Sequence, residues 1–280
     1  MTLRLASGPV SWGVDFADRP GNPDWNEVLD GIAAAGYSGT ELGPYGYLPA
    51  RPAPYELRRL TVTGGFVFEP LHDPAQRSRI VRFARDVASR IGALGGGYLL
   101  IIDSVTDERA ATAGRTDDAS RLDPAARDAM ADTIAAIARV AEEAAVLPLV
   151  HPHAGTYIEF ADEVDELGDV CGFCLDTGHC AYAGIDPVEF YAAAPERVGC
   201  IHLKDLDRER VRSSFWDSVA AGAFVPLGRG VVDLAALVRA TDDAGYEGWM
   251  VVEQDRAAPA GDPVSDLQRS RRHLEGLAVA

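Results

Sequence analysis

Five of the six histidines in this chain (His72, His151, His153, His179 and His202) follow short apolar runs, and so do Glu41, Asp103, Asp176 and Glu253. Carboxylates and imidazoles gathered in this way, with no hydroxyl nucleophile elbow among them, point to a divalent cation. Mixed oxygen and nitrogen donors suit Mn, Co, Zn, Mg or Fe. The imidazoles also titrate near neutrality and can exchange protons with a substrate.

Several of these residues have a plain structural alternative. Glu41, between Thr40 and Leu42, could pair with an arginine instead of touching a ligand. Asp176 precedes Thr177-Gly178-His179, where an aspartate also serves as a helix cap, although His179 three residues on favours a site. His202 lies between Ile201 and Leu203, and a buried histidine with a backbone partner is its ordinary explanation. Its alternation phase nevertheless directs it, with Lys204, to one face. Glu253 follows Met250-Val251-Val252 and has no comparable explanation, since an unpaired buried carboxylate is expensive. Cys171-x-x-Cys174 invites a redox or zinc reading. In the strand-like run GFCLD, however, a spacing of three turns the two side chains to opposite faces, and buried free thiols are expected.

What positions these groups is the order of elements. The apolar runs are residues 3–12, 37–42, 62–71, 97–103, 147–151, 170–176, 198–204 and 249–254. Helix starts lie between them: Asp24 with Glu27 three residues on, Asp123-Pro124, Asp186-Pro187, and Asp233. Gly36 and Gly245 mark helix ends. Nearly continuous apolar strands alternating with amphipathic helices predict a parallel sheet covered on both faces. Eight such units count out an α/β fold, a single (β/α)8 barrel over residues 1–280, with a doubly wound sheet as the competitor. No G-x-G-x-x-G follows the first run, and Gly95-Gly96-Gly97 precedes a strand, which disfavours a dinucleotide or P-loop fold. In a closed parallel barrel the strand C-termini share one mouth, so strand-end residues become neighbours. Two long connections, 104–121 and 205–230, follow strands and overhang that mouth. The second, an active-rim insertion with Phe215, Trp216 and Phe224, could close as a water-excluding lid; a mobile insertion or a subunit contact is the alternative.

A chain of 280 residues, 47% hydrophobic, is long enough for one large α/β domain. A net charge of -17 with no concentrated basic face argues against nucleic acid or an anionic membrane as partner. The opening MTLRLASGPVSWG shows no basic leader with an apolar core, and no apolar run approaches the roughly 18 residues of a membrane helix. A cytoplasmic protein acting on a small molecule is expected, and a homo-oligomer is compatible with the sequence.

The segments GPVSWGV near the start, AGYSGTELGPYGYLP (35–49), HPHAGTYIE (151–159), LDTGHCAYAGIDP (175–187), RVGCIHLKD (197–205), PLGRGVVDLAALV (226–238) and GYEGWMVVEQD (245–255) span nearly the whole chain. On these segments the chain resembles the xylose-isomerase-like TIM-barrel superfamily of sugar isomerases and epimerases, and most closely the inosose (2-keto-myo-inositol) dehydratases. The resemblance implies a metal site of Asp176, His202, Glu253 and an acid near the fifth strand, with His179 of the D-x-x-H motif reaching substrate. Sugar epimerases commonly end that strand with Glu where this chain has His151. Glu159, eight residues on, is expected to supply the acid, with His151 or His153 as the alternative ligand. The implied reaction is dehydration of a cyclic polyol ketone through a metal-stabilised enediolate, with Mn or Co as the expected cation and Zn or Mg also fitting. His179 and the pair His151 and His153 are candidate base and acid, and Glu41 and Lys204 are secondary catalytic candidates.

The main alternative is a metal-dependent sugar or sugar-phosphate isomerase or epimerase. A phosphorylated substrate would want an anion site, and only Gly228-Arg229-Gly230 offers one; the same residues could be a turn before the Asp233 helix. Cleavage of damaged DNA, known among relatives of this barrel, conflicts with the charge of -17. A non-catalytic sugar-binding barrel would leave the polar strand ends without a purpose.

Overall fold

The computed structural model describes residues 3–257 and 261–277. Eleven strands are formed: β1 (Leu5–Ser7), β2 (Gly39–Thr40), β3 (Thr61–Val62), β4 (Gly64–Glu69), β5 (Tyr98–Asp103), β6 (Leu147–Val150), β7 (Gly172–Asp176), β8 (Val198–Leu203), β9 (Asp205–Leu206), β10 (Phe224–Val225) and β11 (Trp249–Val252). Nine of them make one parallel sheet in the order β3-β2-β1-β11-β8-β7-β6-β5-β4. Its two outer strands are consecutive in the chain, separated only by Thr63, and Leu42 N–H donates to the Gly64 carbonyl beside them. The sheet therefore curls into a single TIM barrel of the α/β class. Each expected apolar run carries a strand; the third is divided at Thr63, β3 pairing with β2 and β4 with β5.

The helices between strands begin where the capping residues stand. Asp24, Asp123, Asp186 and Asp233 each accept backbone N–H bonds at the starts of Trp25–Ala34, Pro124–Glu143, Pro187–Ala193 and Leu234–Asp243. Their apolar faces, including Val28, Leu29, Ile134 and Leu237, pack on outward residues such as Leu99, Ile101 and Ile201 to form the main core. The barrel interior is a second, smaller core of Ala6, Tyr98, Leu100, Leu149, Cys174, Cys200 and Val251. Period-two alternation along each strand separates the two.

Segment 205–230 is ordered around the antiparallel pair of β9 and β10 and the short helix Phe215–Ala220. All four cysteines are free thiols, Cys174, Cys180 and Cys200 buried and Cys171 half-buried. No helix among the described residues is long and apolar enough to cross a membrane.

Candidate metal centre

Asp176 ends β7 opposite His202 of β8 in the strand register. Its Oδ1 accepts the backbone N–H groups of Gly178 (2.9 Å) and His179 (3.0 Å), so the cap reading is correct. Its Oδ2 points into the mouth. That atom is buried and accepts no hydrogen bond among the described residues, although Lys204 Nζ stands 3.2 Å away, His151 Nε2 3.3 Å and His202 Nδ1 3.7 Å. The turn that allows this needs Gly178, since a Cβ there would lie 2.5 Å from Lys204 Cβ.

His202 is held from both sides. Its Nε2 meets Glu41 Oε1 at 2.9 Å, and its Nδ1 lies 3.2 Å from Glu253 Oε2. Glu41 is also held by the Tyr98 hydroxyl, which donates to it at 2.7 Å from the opposite wall. Glu41 thus pairs with a histidine and a tyrosine, and not with an arginine. Lys204 Nζ reaches Asp255 Oδ1 (2.8 Å), His179 Nε2 (3.1 Å) and Glu253 Oε2 (3.4 Å). His153 lies with its ring centroid 3.8 Å from that of His179. The Ala154 peptide joins the two rings: its N–H approaches His179 Nδ1 at 3.4 Å, and its carbonyl is 2.8 Å from His153 Nδ1.

The charges follow from this packing. Burial alone would raise Asp176, but Lys204, His179 and His151 outweigh it and hold the carboxyl well below the usual range. Glu253 is likewise buried yet held down to about 2 by His202 and Lys204. Burial, reinforced by His151 and Lys204, pulls His153 down to about 3, and burial with His153 and Lys204 pulls His179 down as well. Two neutral imidazoles therefore stand beside the cationic Lys204.

Oxygens of Asp176 and Glu253 and a nitrogen of His202 all lie within 4.8 Å of one another. Two oxygens and one imidazole nitrogen, with the Asp176 Oδ2 and His202 Nδ1 atoms lacking hydrogen-bond partners among the described residues, fit a divalent cation. Glu159 is not brought to this group. Its Oε1 accepts Gly114 N–H (2.7 Å) and its Oε2 accepts Gly155 N–H (3.0 Å) and lies 3.4 Å from Arg109. Burial pushes it up to about 7 against those donors. The strand-end neighbour of Asp176 on that side is His151. His72 and Asp103 pair with each other at 2.7 Å, and Asp103 also accepts Tyr157 N–H, so they brace the 151–159 loop from outside the centre.

The mouth above holds a cavity of about 100 Å³, lined by Phe66, Phe68 and Ile102, by Phe215 and Trp216 of the insertion, and by Asp15, Phe16 and Asp255. Asp255 and Tyr98, which contact Lys204 and Glu41 at this candidate centre, were passed over by the strand-end reading. Asp255 shares the alternation phase of Glu253, a signal that was present; Tyr98 starts its strand and reaches the site only through its length. The expected anion loop is already filled: Asp205 Oδ2 accepts the N–H groups of Gly228, Arg229 and Gly230 at 3.0, 3.1 and 2.8 Å.

Residues 29–277 match the family described as xylose isomerase-like TIM barrel. The chain belongs to that family. An inosose dehydratase of Geobacillus kaustophilus (strain HTA426) is 25% identical to this xylose isomerase-like barrel over 295 aligned positions, covering 98% of this chain and 94% of the relative. Among solved structures, the IOLI protein with a bound zinc atom superposes with a TM-score of 0.75 at 15% identity, with 98% of each chain covered. A D-allulose 3-epimerase from Methylomonas sp. in complex with D-allulose superposes at 0.74 and 16% identity, covering 98% of this chain and 96% of the epimerase.

Proposed function

We propose that this xylose isomerase-like barrel is a divalent-metal-dependent enzyme that dehydrates a cyclic polyol ketone of the 2-keto-myo-inositol type. The observation that carries the reading is the buried set of Asp176, His202 and Glu253, with the neutral imidazoles of His153 and His179 and the cationic Lys204 around one aromatic-walled mouth. Asp176, His202 and Glu253 would hold the cation, which supplies Lewis acidity at a carbonyl and its neighbouring hydroxyl.

The chain's own groups supply the rest. A neutral imidazole is the form that accepts an α-proton, and both His153 and His179 are kept neutral by burial. Lys204, held between Asp255 and His179, is placed to protonate a departing β-hydroxyl. Phe215, Phe224 and Trp216 limit water at the site. The full-length likeness to the Geobacillus inosose dehydratase supports dehydration.

The second reading is isomerisation or epimerisation of a free ketose, in which the proton is returned instead of the hydroxyl expelled; the likeness to the D-allulose epimerase fold supports it. A phosphorylated substrate is disfavoured because Asp205 occupies the glycine-rich nest. Proton NMR in deuterated water separates the two. Dehydration removes ring protons from 2-keto-myo-inositol and gives a deoxygenated product, the outcome expected here. Clean conversion of a ketohexose to its epimer, with the cyclic ketone untouched, would overturn it.

A further inference from the structure

Cys174 lies two residues before Asp176 on the inward face of β7, with its thiol fully buried. Its Sγ, a nitrogen of His151 and a nitrogen of His202 lie within 4.8 Å of one another. His202 is thus shared with the set formed by Asp176 and Glu253. His151 Nδ1 and His202 Nδ1 are both buried and lack hydrogen-bond partners among the described residues. Two groups therefore meet at the His202 ring, one of the Asp176 and Glu253 oxygens and one of the His151 nitrogen and the Cys174 sulfur.

We propose that Cys174 and His151 are further ligands of this centre, so that it takes a borderline or soft divalent cation of the Zn, Co or Cd class in preference to a hard one such as Mg. Thiolate and imidazole donors select in that direction, whereas an all-oxygen set does not. On binding, the S–H bond of Cys174 breaks, a sulfur–metal bond forms and the proton passes to solvent; nothing is oxidised. Cys200 is the natural control. It is paired in register with Cys174 across β7 and β8 and its thiol hydrogen-bonds with that of Cys174, but the group it forms is with Glu41 and His202, and its thiol faces the Trp249 carbonyl at 3.7 Å. The inference rests on the metal-centre reading above and adds a choice of cation to it.

The test is cobalt loading of the chelator-stripped full-length protein, with bound metal quantified and the near-ultraviolet thiolate-to-cobalt charge-transfer absorption recorded. The band is expected in the wild type and in Cys200→Ala, and is expected to vanish in Cys174→Ala while cobalt stays bound through Asp176, His202 and Glu253. Stoichiometric cobalt without the band, or a band that survives Cys174→Ala, overturns the assignment of Cys174. No bound cobalt at all removes the metal-centre reading, and this inference with it. X-ray absorption at the cobalt edge of the wild type needs no variant: one sulfur scatterer is expected, and a shell of nitrogen and oxygen alone contradicts the assignment.

Discussion

Asp176 divides its two oxygens between structure and chemistry, and a variant can separate them. Oδ1 caps the helix Thr177–Ala183, and Oδ2 faces the candidate cation site. Asparagine also caps helices well, so Asp176→Asn should keep most of the fold's stability and lose bound metal, whereas Asp176→Ala should lose metal and also about 1 kcal/mol of cap. Metal content by mass spectrometry and urea unfolding read the two effects; wild-type metal occupancy in either variant would remove Asp176 from the ligand set. Glu253→Gln is expected to lower kcat/KM on the order of 10²- to 10³-fold, since several kcal/mol of charge stabilisation go with the cation. At this scale the sequence was informative wherever a side chain ends a strand. His202 and Lys204 were directed to one face by alternation, Asp176 and Glu253 were legible from their strand-end positions, and the grouping of Asp176, His202 and Glu253 as a metal set came from the family resemblance. It was uninformative for Tyr98, whose hydroxyl crosses the barrel to Glu41, and for Glu159, whose partners come from a distant connection.

Those partners belong to elements that brace the mouth. Arg109, fully buried in the 104–121 connection, donates to Glu163 at 2.8 and 2.9 Å and to the Ser120 carbonyl at 2.6 Å, with Glu159 alongside. A buried ion pair is costly to break from one side, because the remaining charge is left in a dry site. Arg109→Met should therefore lower stability by about 3–5 kcal/mol in urea unfolding; a loss under about 1 kcal/mol would show that the clamp is solvated. The His72–Asp103 latch is pH-dependent. Burial lowers the His72 pKa, but its hydrogen bond to Asp103 and the charge of Asp103 raise it by more, so it stands above 6.5 in the folded state. Its stabilisation is complete below the unfolded value and lost as pH rises through the folded one. The stability gap between wild type and His72→Gln should be full at acid pH and shrink as pH rises above about 6.5, and a gap that widens contradicts the latch. The Arg109 clamp was not visible in spacing, because it joins two connections; His72 and Asp103 were both legible as residues at strand ends, but not as partners of each other. The four aspartate caps were visible, because each cap is local to its helix.

For the whole molecule, the barrel explains why residues separated by more than two hundred positions act together: Glu41 and Glu253 flank the same His202 ring. The fold was legible because eight apolar runs alternate with helices that carry their own start signals; the division at Thr63 and the short antiparallel pair β9 and β10 escaped that pattern. The insertion over the mouth supplies Phe215 and Trp216 to the cavity wall. The measurement that bears most directly on metal-dependent dehydration is an ultraviolet assay of chelator-stripped protein with 2-keto-myo-inositol, with and without added Co or Mn. The expected result is a rise in absorbance from the enolised dione product that requires the added cation. A flat trace from folded, metal-loaded protein would contradict it and leave the ketose epimerase reading in its place.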